Sequence, residues 1–348
     1  MTGLRTARDG RAGRITLARP DALNALTWPM VTAIGAALGD WRADPAIDLV
    51  LLEGEGRAFC AGGDIREMHA RGTAGDHDYG RRFWADEYRL NLLLARYPKP
   101  VVAFLHGAVM GGGVGVGCHA SHRIADGSTR VAMPECAIGL VPDVGGSLLL
   151  ARAPGRLGEH LGLTAARMGA ADAIHAGFAD AFVPDGWDDL KRALCLSGDP
   201  GAVAAAAADP GPSGLAALRP FADAHFDAPD LPALLARLDA SDAPEAAAAR
   251  GAIAKVSPLS AAITLELVRR SRADGTLPGA LRLEYRATSR LSQHGDFVEG
   301  IRALIVDKDG APRWRYPDAA DLPPALAAEM LSPPPGGDLE LPEERTTA

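Results

Sequence analysis

Residues 106–146 read HGAVMGGGVGVGCHASHRIADGSTRVAMPECAIGLVPDVGG. Three consecutive glycines, Gly111, Gly112 and Gly113, stand where an apolar strand should give way to a helix. Two acids follow, Glu135 and Asp143, in otherwise apolar or Gly/Pro-rich surroundings. Glycine lets another group come close to the main chain. Backbone N–H groups converging on one point beside two carboxyl groups are the components of acyl chemistry. The amides hold an oxyanion, and the carboxyl groups act as nucleophile, base or acid.

A second glycine cluster lies upstream, in LVLLEGEGRAFCAGGDIREM at 49–68. Leu49–Leu52 is a short apolar run, best read as a buried parallel strand. The run 58–63, AFCAGG, reads as a tight turn. Asp64 then precedes a helical pattern with Glu67 three residues later, the spacing of a capping box. Gly63 would sit at a helix start with its N–H unused by the helix. On spacing alone, Gly62 and Gly63 serve equally well as a plain turn, and Asp64 reads as a helix cap rather than a catalytic acid.

Around these clusters, short apolar strands alternate with helical stretches. Ile15–Ala18, Leu49–Leu52 and Val101–Leu105 read as strands, with Ser121–Ala125 and Arg130–Ala132 as shorter candidates. Helical patterns cover Leu26–Asp40, Phe83–Arg96, Gly113–His119 and Gly145–Ala151, and Ala171–Phe182 adds a helix and turn. Such alternation implies an α/β fold. We divide the chain into a core at 1–190, an Ala/Pro-rich stretch of short exposed helices and loops at 191–250, a helical region at 251–315, and an acidic Pro-rich tail at 316–348, mobile past about Leu331. Ser257-Pro258 suits an N-cap followed by the first helical position, with an apolar helix over Leu259–Val268.

Composition excludes several classes. The chain has 348 residues, 47% hydrophobic content and net charge −8 without a basic cluster, which argues against a nucleic-acid partner. No apolar run approaches the ~20 residues of a membrane span. Arg5, Arg8, Arg11 and Arg14 invite a transit-peptide reading, but Asp9-Gly10 reads as a hairpin turn leading into the first strand. Cys60, Cys118, Cys136 and Cys195 show no CxxC pairing, so neither a metal site nor a disulfide framework is expected. Reduced thiols point to a cytoplasmic enzyme.

AFCAGGDI at 58–65, KPVVAFLHGAVMGGGVGVG at 99–117 and MPECAIGLVPDVGG at 133–146 together resemble the crotonase (enoyl-CoA hydratase/isomerase) superfamily. FWADEYRLNLLLARYPKP at 83–100, SPLSAAITLELV at 257–268 and the stretch 284–314 extend the likeness to its 3-hydroxyisobutyryl-CoA hydrolase branch. The resemblance implies a spiral of ββα units with a C-terminal helical region, and an acyl-CoA substrate whose CoA is its own carrier, without a further cofactor or metal. It implies that Gly63 and Gly112 donate to the thioester oxygen. Glu135 would be the nucleophile or the base for water, and Asp143 would assist as acid or orient the water. By position alone Asp143 also reads as an N-cap for a helix from Val144. Ala61 and the stretch Ala22-Leu23-Asn24-Ala25-Leu26 would receive the adenine end of CoA through their main chain. By pattern alone Glu87 reads as a solvated face residue of its helix; the resemblance makes it a substrate contact. Arg66 would meet a CoA phosphate or be merely solvated. His106 would be structural, Phe297 a packing residue and Lys308 a weak phosphate candidate. Where hydratases carry a second glutamate this chain has Gly115, which argues against hydration. An enoyl-CoA hydratase or isomerase and a non-catalytic CoA-binding member remain as rivals. Trimers are common among such proteins, so a homo-oligomer is a possible state.

Overall fold

The structure, a computed structural model, describes residues 3–342. Strands β1 (Leu4–Asp9) and β2 (Ala12–Leu17) form an antiparallel hairpin that turns at Gly10. The four N-terminal arginines therefore belong to a folded ribbon, as the Asp9-Gly10 turn signal suggested. Strands β3 (Leu49–Gly54), β4 (Val101–Leu105), β6 (His122–Ala125) and β8 (Ala181–Phe182) then add in parallel, giving the order β1-β2-β3-β4-β6-β8. A second, two-stranded sheet pairs β5 (Ala108–Met110) with β7 (Arg130–Ala132) in parallel.

Alternation along β4 explains why the sheet is covered on both faces. Val101, Ala103 and Leu105 join one buried cluster, whereas Val102 and Phe104 join another. The first face carries α1 (Trp28–Trp41), α2 (Ile65–Thr73), α3 (His77–Ala95) and α4 (Gly112–Gly117), followed by α5 (Gly146–Arg152), α6 (Leu157–Thr164) and α7 (Ala170–His175). The second face is closed by α8 (Trp187–Ser197) and α9 (Gly201–Ala206) through Leu190, Leu194 and Val203. Lys191 on α8 also pairs with the buried Glu53 of β3 at 2.8 Å. The boundary drawn at 190 from composition thus cuts a helix that belongs to the sheet.

Helices α10 (Gly214–His225), α11 (Leu231–Asp239) and α12 (Pro244–Ile253) correct the expectation of exposed helices at 191–250. Leu231, Leu234 and Leu238 recur at helical spacing, and with Leu215, Phe226 and Ile253 they are buried in the main cluster. The alanine background masked that stripe. Helices α13 (Pro258–Asp274) and α14 (Leu277–His294) pack across α3, α5 and α6. Ser257 caps α13 by accepting from Ser260 N–H, with Pro258 at the first turn, as read from the sequence. Helix α15 (Asp296–Ile301) leads into a π-helical turn, Arg302–Val306, and α16 (Leu326–Met330) follows.

The tail is packed rather than loose as far as Pro342. Leu339 and Leu341 are buried, Asp338 pairs with Arg286, and Arg290 donates to the Ser332 and Pro333 carbonyls. Of the acids that suggested mobility, Asp338 is held by Arg286 of α14. The end of the tail, 343–348, lies outside the described residues.

Candidate active site

The two glycine clusters meet because residues 58–60 run beside β5. Phe59 N–H donates to His106 O at 2.8 Å, Cys60 N–H to Ala108 O at 3.1 Å, and Met110 N–H to Cys60 O at 3.0 Å. Gly111 then turns the chain with φ 48° and ψ −122°, a conformation essentially confined to glycine. A Cβ on Gly113 would lie 2.2 Å from Cys60 O, so no larger residue allows this approach. A Cβ on Gly112 would stand 3.4 Å from Gly63 N, which places both main chains on one small volume. Leu26 takes Gly62 O and gives its own carbonyl to Asp64 N–H, both at 2.8 Å. The Gly63 N–H between them has no backbone acceptor among the described residues, and the Gly112 N–H heads α4 in the same condition.

Carboxyl groups line the same cavity, about 260 Å³ in volume, in which Ala61, Gly63, Gly112, Glu87, Glu135 and Asp143 meet. Its apolar wall includes Phe83, Trp84, Ile138, Leu140 and Phe297. Glu87, Glu135 and Asp143 are 2%, 5% and 4% exposed, which sets their chemistry. Burial raises the Glu135 carboxyl well above the usual range, and the Asp143 charge raises it further. Glu87 is raised by burial and then by Asp143. Burial also raises Asp143, against a 2.7 Å hydrogen bond donated by the Tyr88 hydroxyl, which pulls it down. Three buried acids, with no cation facing them among the described residues, resist simultaneous ionisation. One oxygen of Glu87 and one of Glu135 have no protein partner among the described residues.

Most site residues expected from the sequence converge here. Glu87 is the one whose local pattern suggested a solvated face; α3 instead turns it inward beside Trp84 and Tyr88. Phe297 packs on Trp84 and also lines the cavity, so it does more than fill the core. Asp64 takes the N-cap position of α2 without a side-chain cap bond; its carboxylate pairs with Arg19 at 2.8 Å. Arg66 is exposed on a neighbouring cavity of about 810 Å³ that shares Asp64, Met68 and Phe83 with the first. Of the stretch 22–26, Leu26 lines the second cavity while Ala22, Leu23, Asn24 and Ala25 line neither, and the Ala61 N–H is already donated to Leu23 O at 3.0 Å. His106 holds the Gly56 carbonyl at 3.0 Å, a structural role, and Lys308 is exposed in a turn with φ 57°.

Sequence reading missed Tyr88, Asn91 and Glu284, all buried around Asp143 or the glycine helix. Tyr88 stands next to Glu87, and Glu284 opens one of the stretches that carried the family resemblance, but neither had a local signal of its role. Asn91 adds a reason for the glycine at 115: a Cβ there would lie 2.7 Å from Asn91 Nδ2 and 2.7 Å from Val144 Cβ. A glutamate has no room at that position.

A family model described as enoyl-CoA hydratase/isomerase matches residues 12–331. The chain belongs to the enoyl-CoA hydratase/isomerase family, and its fold is that of the crotonases. It is 35% identical, over 96% of its length and 90% of the relative's, to the 3-hydroxyisobutyryl-CoA hydrolase, mitochondrial, of Gallus gallus. Identity to the protein of the same name from Xenopus tropicalis is 38%, over 88% of this chain and 82% of that one. Among solved structures, one described as an enoyl-CoA hydratase from Rhodobacter sphaeroides superposes with a TM-score of 0.93 at 51% identity, covering 97% of this chain and all of that chain. Another, described as a carnitinyl-CoA dehydratase from Mycobacterium thermoresistibile, gives 0.92 at 42% identity over 97% and 98%.

Proposed function

We propose that this protein hydrolyses the thioester of a short 3-hydroxyacyl-CoA, with 3-hydroxyisobutyryl-CoA of valine breakdown the first candidate and 3-hydroxypropionyl-CoA the second. The observation that carries the reading is the meeting of two backbone donors, Gly63 and Gly112, with the buried Glu135 and Asp143 in one cavity. The thioester oxygen sits between the two amides, which stabilise the charge it gains as the carbonyl is attacked; one such donor is worth on the order of 10²–10³ in rate. Glu135 either attacks to form a mixed anhydride, which water then cleaves to free the acid and restore the Glu135 carboxyl, or takes a proton from the water that attacks the carbonyl. The C–S bond breaks, and Asp143 delivers a proton to the leaving sulfur or orients the water. A raised Glu135 is a stronger base once ionised, and a raised Asp143 keeps a proton to give. Glu87, with a free oxygen, accepts a hydrogen bond from the substrate's 3-hydroxyl. CoA arrives with the substrate, and these steps call on no other cofactor. The four cysteines are free and buried, in keeping with the cytoplasmic location expected from the sequence; the Gallus gallus relative is named mitochondrial.

A second reading, hydration of an enoyl-CoA on the same fold, is favoured by the description of the Rhodobacter sphaeroides structure. The packing of Asn91 and Val144 over Gly115 speaks against it, since hydration requires a second acid there. Purified protein is incubated separately with 3-hydroxyisobutyryl-CoA and crotonyl-CoA. Free thiol from the first substrate is the expected result. Loss of enone absorbance from the second without thiol release would establish the hydratase instead, and neither signal would leave a CoA-binding protein without activity on these substrates.

A further inference from the structure

Asp143 stands on a turn that the backbone does not favour. Val144 has φ 54° and Gly145 φ 79°. A β-branched residue with positive φ is a genuine outlier and persists where its surroundings enforce it. Two side chains enforce it here. His119, just beyond the last turn of α4, points Nε2 at Val144 O at 2.7 Å. A carbonyl only accepts, so Nε2 carries the hydrogen; burial pushes the imidazole down to about 4, which keeps it neutral near pH 7. From α14, Glu284 accepts from Gly145 N–H at 2.7 Å, from Ser147 N–H at 3.0 Å and from the Ser147 hydroxyl. Gly146 N–H closes the turn on Asp143 O at 2.7 Å. No side chain fits at Gly145: a Cβ there would lie 2.5 Å from His119 Nε2 and 2.6 Å from Leu277 Cδ1.

We propose that His119 and Glu284 are positioning residues that clamp the Asp143-Val144-Gly145 turn in its left-handed form and so aim the Asp143 carboxyl at Tyr88 and the cavity. Neither lines the cavity, so they act through Asp143. Helix α4 gains two functions from this arrangement. Its first residue presents the Gly112 amide, and His119, two residues beyond its end, fixes the acid's turn, so donor and acid keep one spacing. The role for Asp143 rests on the hydrolase reading above.

The test uses the full chain with Glu284→Gln, Glu284→Ala, His119→Ala and Asp143→Asn, singly and with Glu284→Gln combined with Asp143→Asn. Glu284→Gln keeps the shape and one acceptor but meets an amide with a donor, and it guards against loss of folding in Glu284→Ala. Misplacement of a reacting group by about 1 Å costs on the order of 10²-fold in rate. We expect kcat for 3-hydroxyisobutyryl-CoA to fall about tenfold in Glu284→Gln and His119→Ala and about 100-fold in Glu284→Ala, with KM within about threefold. In the Asp143→Asn background, Glu284→Gln should cost nothing further, because both changes remove one function. Amide exchange at Gly145 and Ser147 should accelerate in both Glu284 variants while α3 and α13 keep their protection. Unchanged exchange at these amides, unchanged kcat beside faster exchange, or losses that add fully with Asp143→Asn would each overturn the clamp. If the unaltered protein releases no thiol, the hydrolase reading fails instead, and the exchange result alone decides the clamp.

Discussion

Gly63 and Gly112 reach the cavity through their main chain, whereas Glu87, Glu135 and Asp143 reach it through side chains carried by separate elements. The two halves of the site depend on different things. The donor half needs close backbone approach, and glycine writes that need directly into the sequence. The acid half needs burial and mutual placement, which α3, α14, the short 3₁₀ turn Glu135–Ile138 and the loop after it supply only once the chain has folded. Donors fixed in loops bind charge without titrating. Acids pressed together in an apolar pocket trade stability for reactivity.

A Cβ at the donor half should do the most damage. Gly112→Ala brings a methyl to 2.7 Å from Glu87 Oε1 and 3.4 Å from Gly63 N, in the space assigned to the thioester oxygen. We expect kcat/KM for 3-hydroxyisobutyryl-CoA to fall on the order of 10²–10³-fold in steady-state thiol release. A change under threefold would detach the donor half from catalysis.

On the acid side, Glu87→Gln sharpens the comparison by separating recognition from reaction. A net hydrogen bond is worth about 0.5–1.5 kcal/mol, so the variant should lose roughly two- to tenfold in its preference for 3-hydroxyisobutyryl-CoA over isobutyryl-CoA. Equal slowing of both substrates would remove Glu87 from hydroxyl recognition.

The smallest effect is on stability, and its sign is set by the raised acids. A carboxyl whose folded pKa exceeds its unfolded value of about 4.3 leaves the folded state holding more protons, so stability falls as pH rises through that window. Glu284, which burial pushes up to about 8, extends the loss to that pH. Glu135→Gln and Glu87→Gln should therefore melt a few degrees above the unaltered protein at pH 8, and the gap should close toward pH 4 in thermal unfolding. A gap that widens on acidification would mean these carboxyls are held ionised.

How much of this was legible follows the same division. The two glycine clusters, Glu135 and Asp143 are readable because their spacing and surroundings are local. The hairpin at Gly10, the strand at Val101–Leu105 and the Ser257 cap were equally local. Glu87 looked like a solvated helix face, because its burial depends on long-range packing, that of α3 against α4. Tyr88 and Glu284 were silent for the same reason. Asp143 could have been a helix cap by spacing; the helix starts at Gly146, and the carboxyl turns to Tyr88 instead. Residues 191–250 misled through composition: alanine and aspartate hid the stripe of Leu231, Leu234 and Leu238.

The central claim is that the backbone donors bind while Glu135 reacts. Its most direct test is Glu135→Gln, with kcat for 3-hydroxyisobutyryl-CoA measured by thiol release and CoA-thioester affinity by calorimetry on the same preparation. We predict a fall in kcat of at least about 10²-fold with affinity nearly kept. Turnover close to that of the unaltered protein would contradict the account.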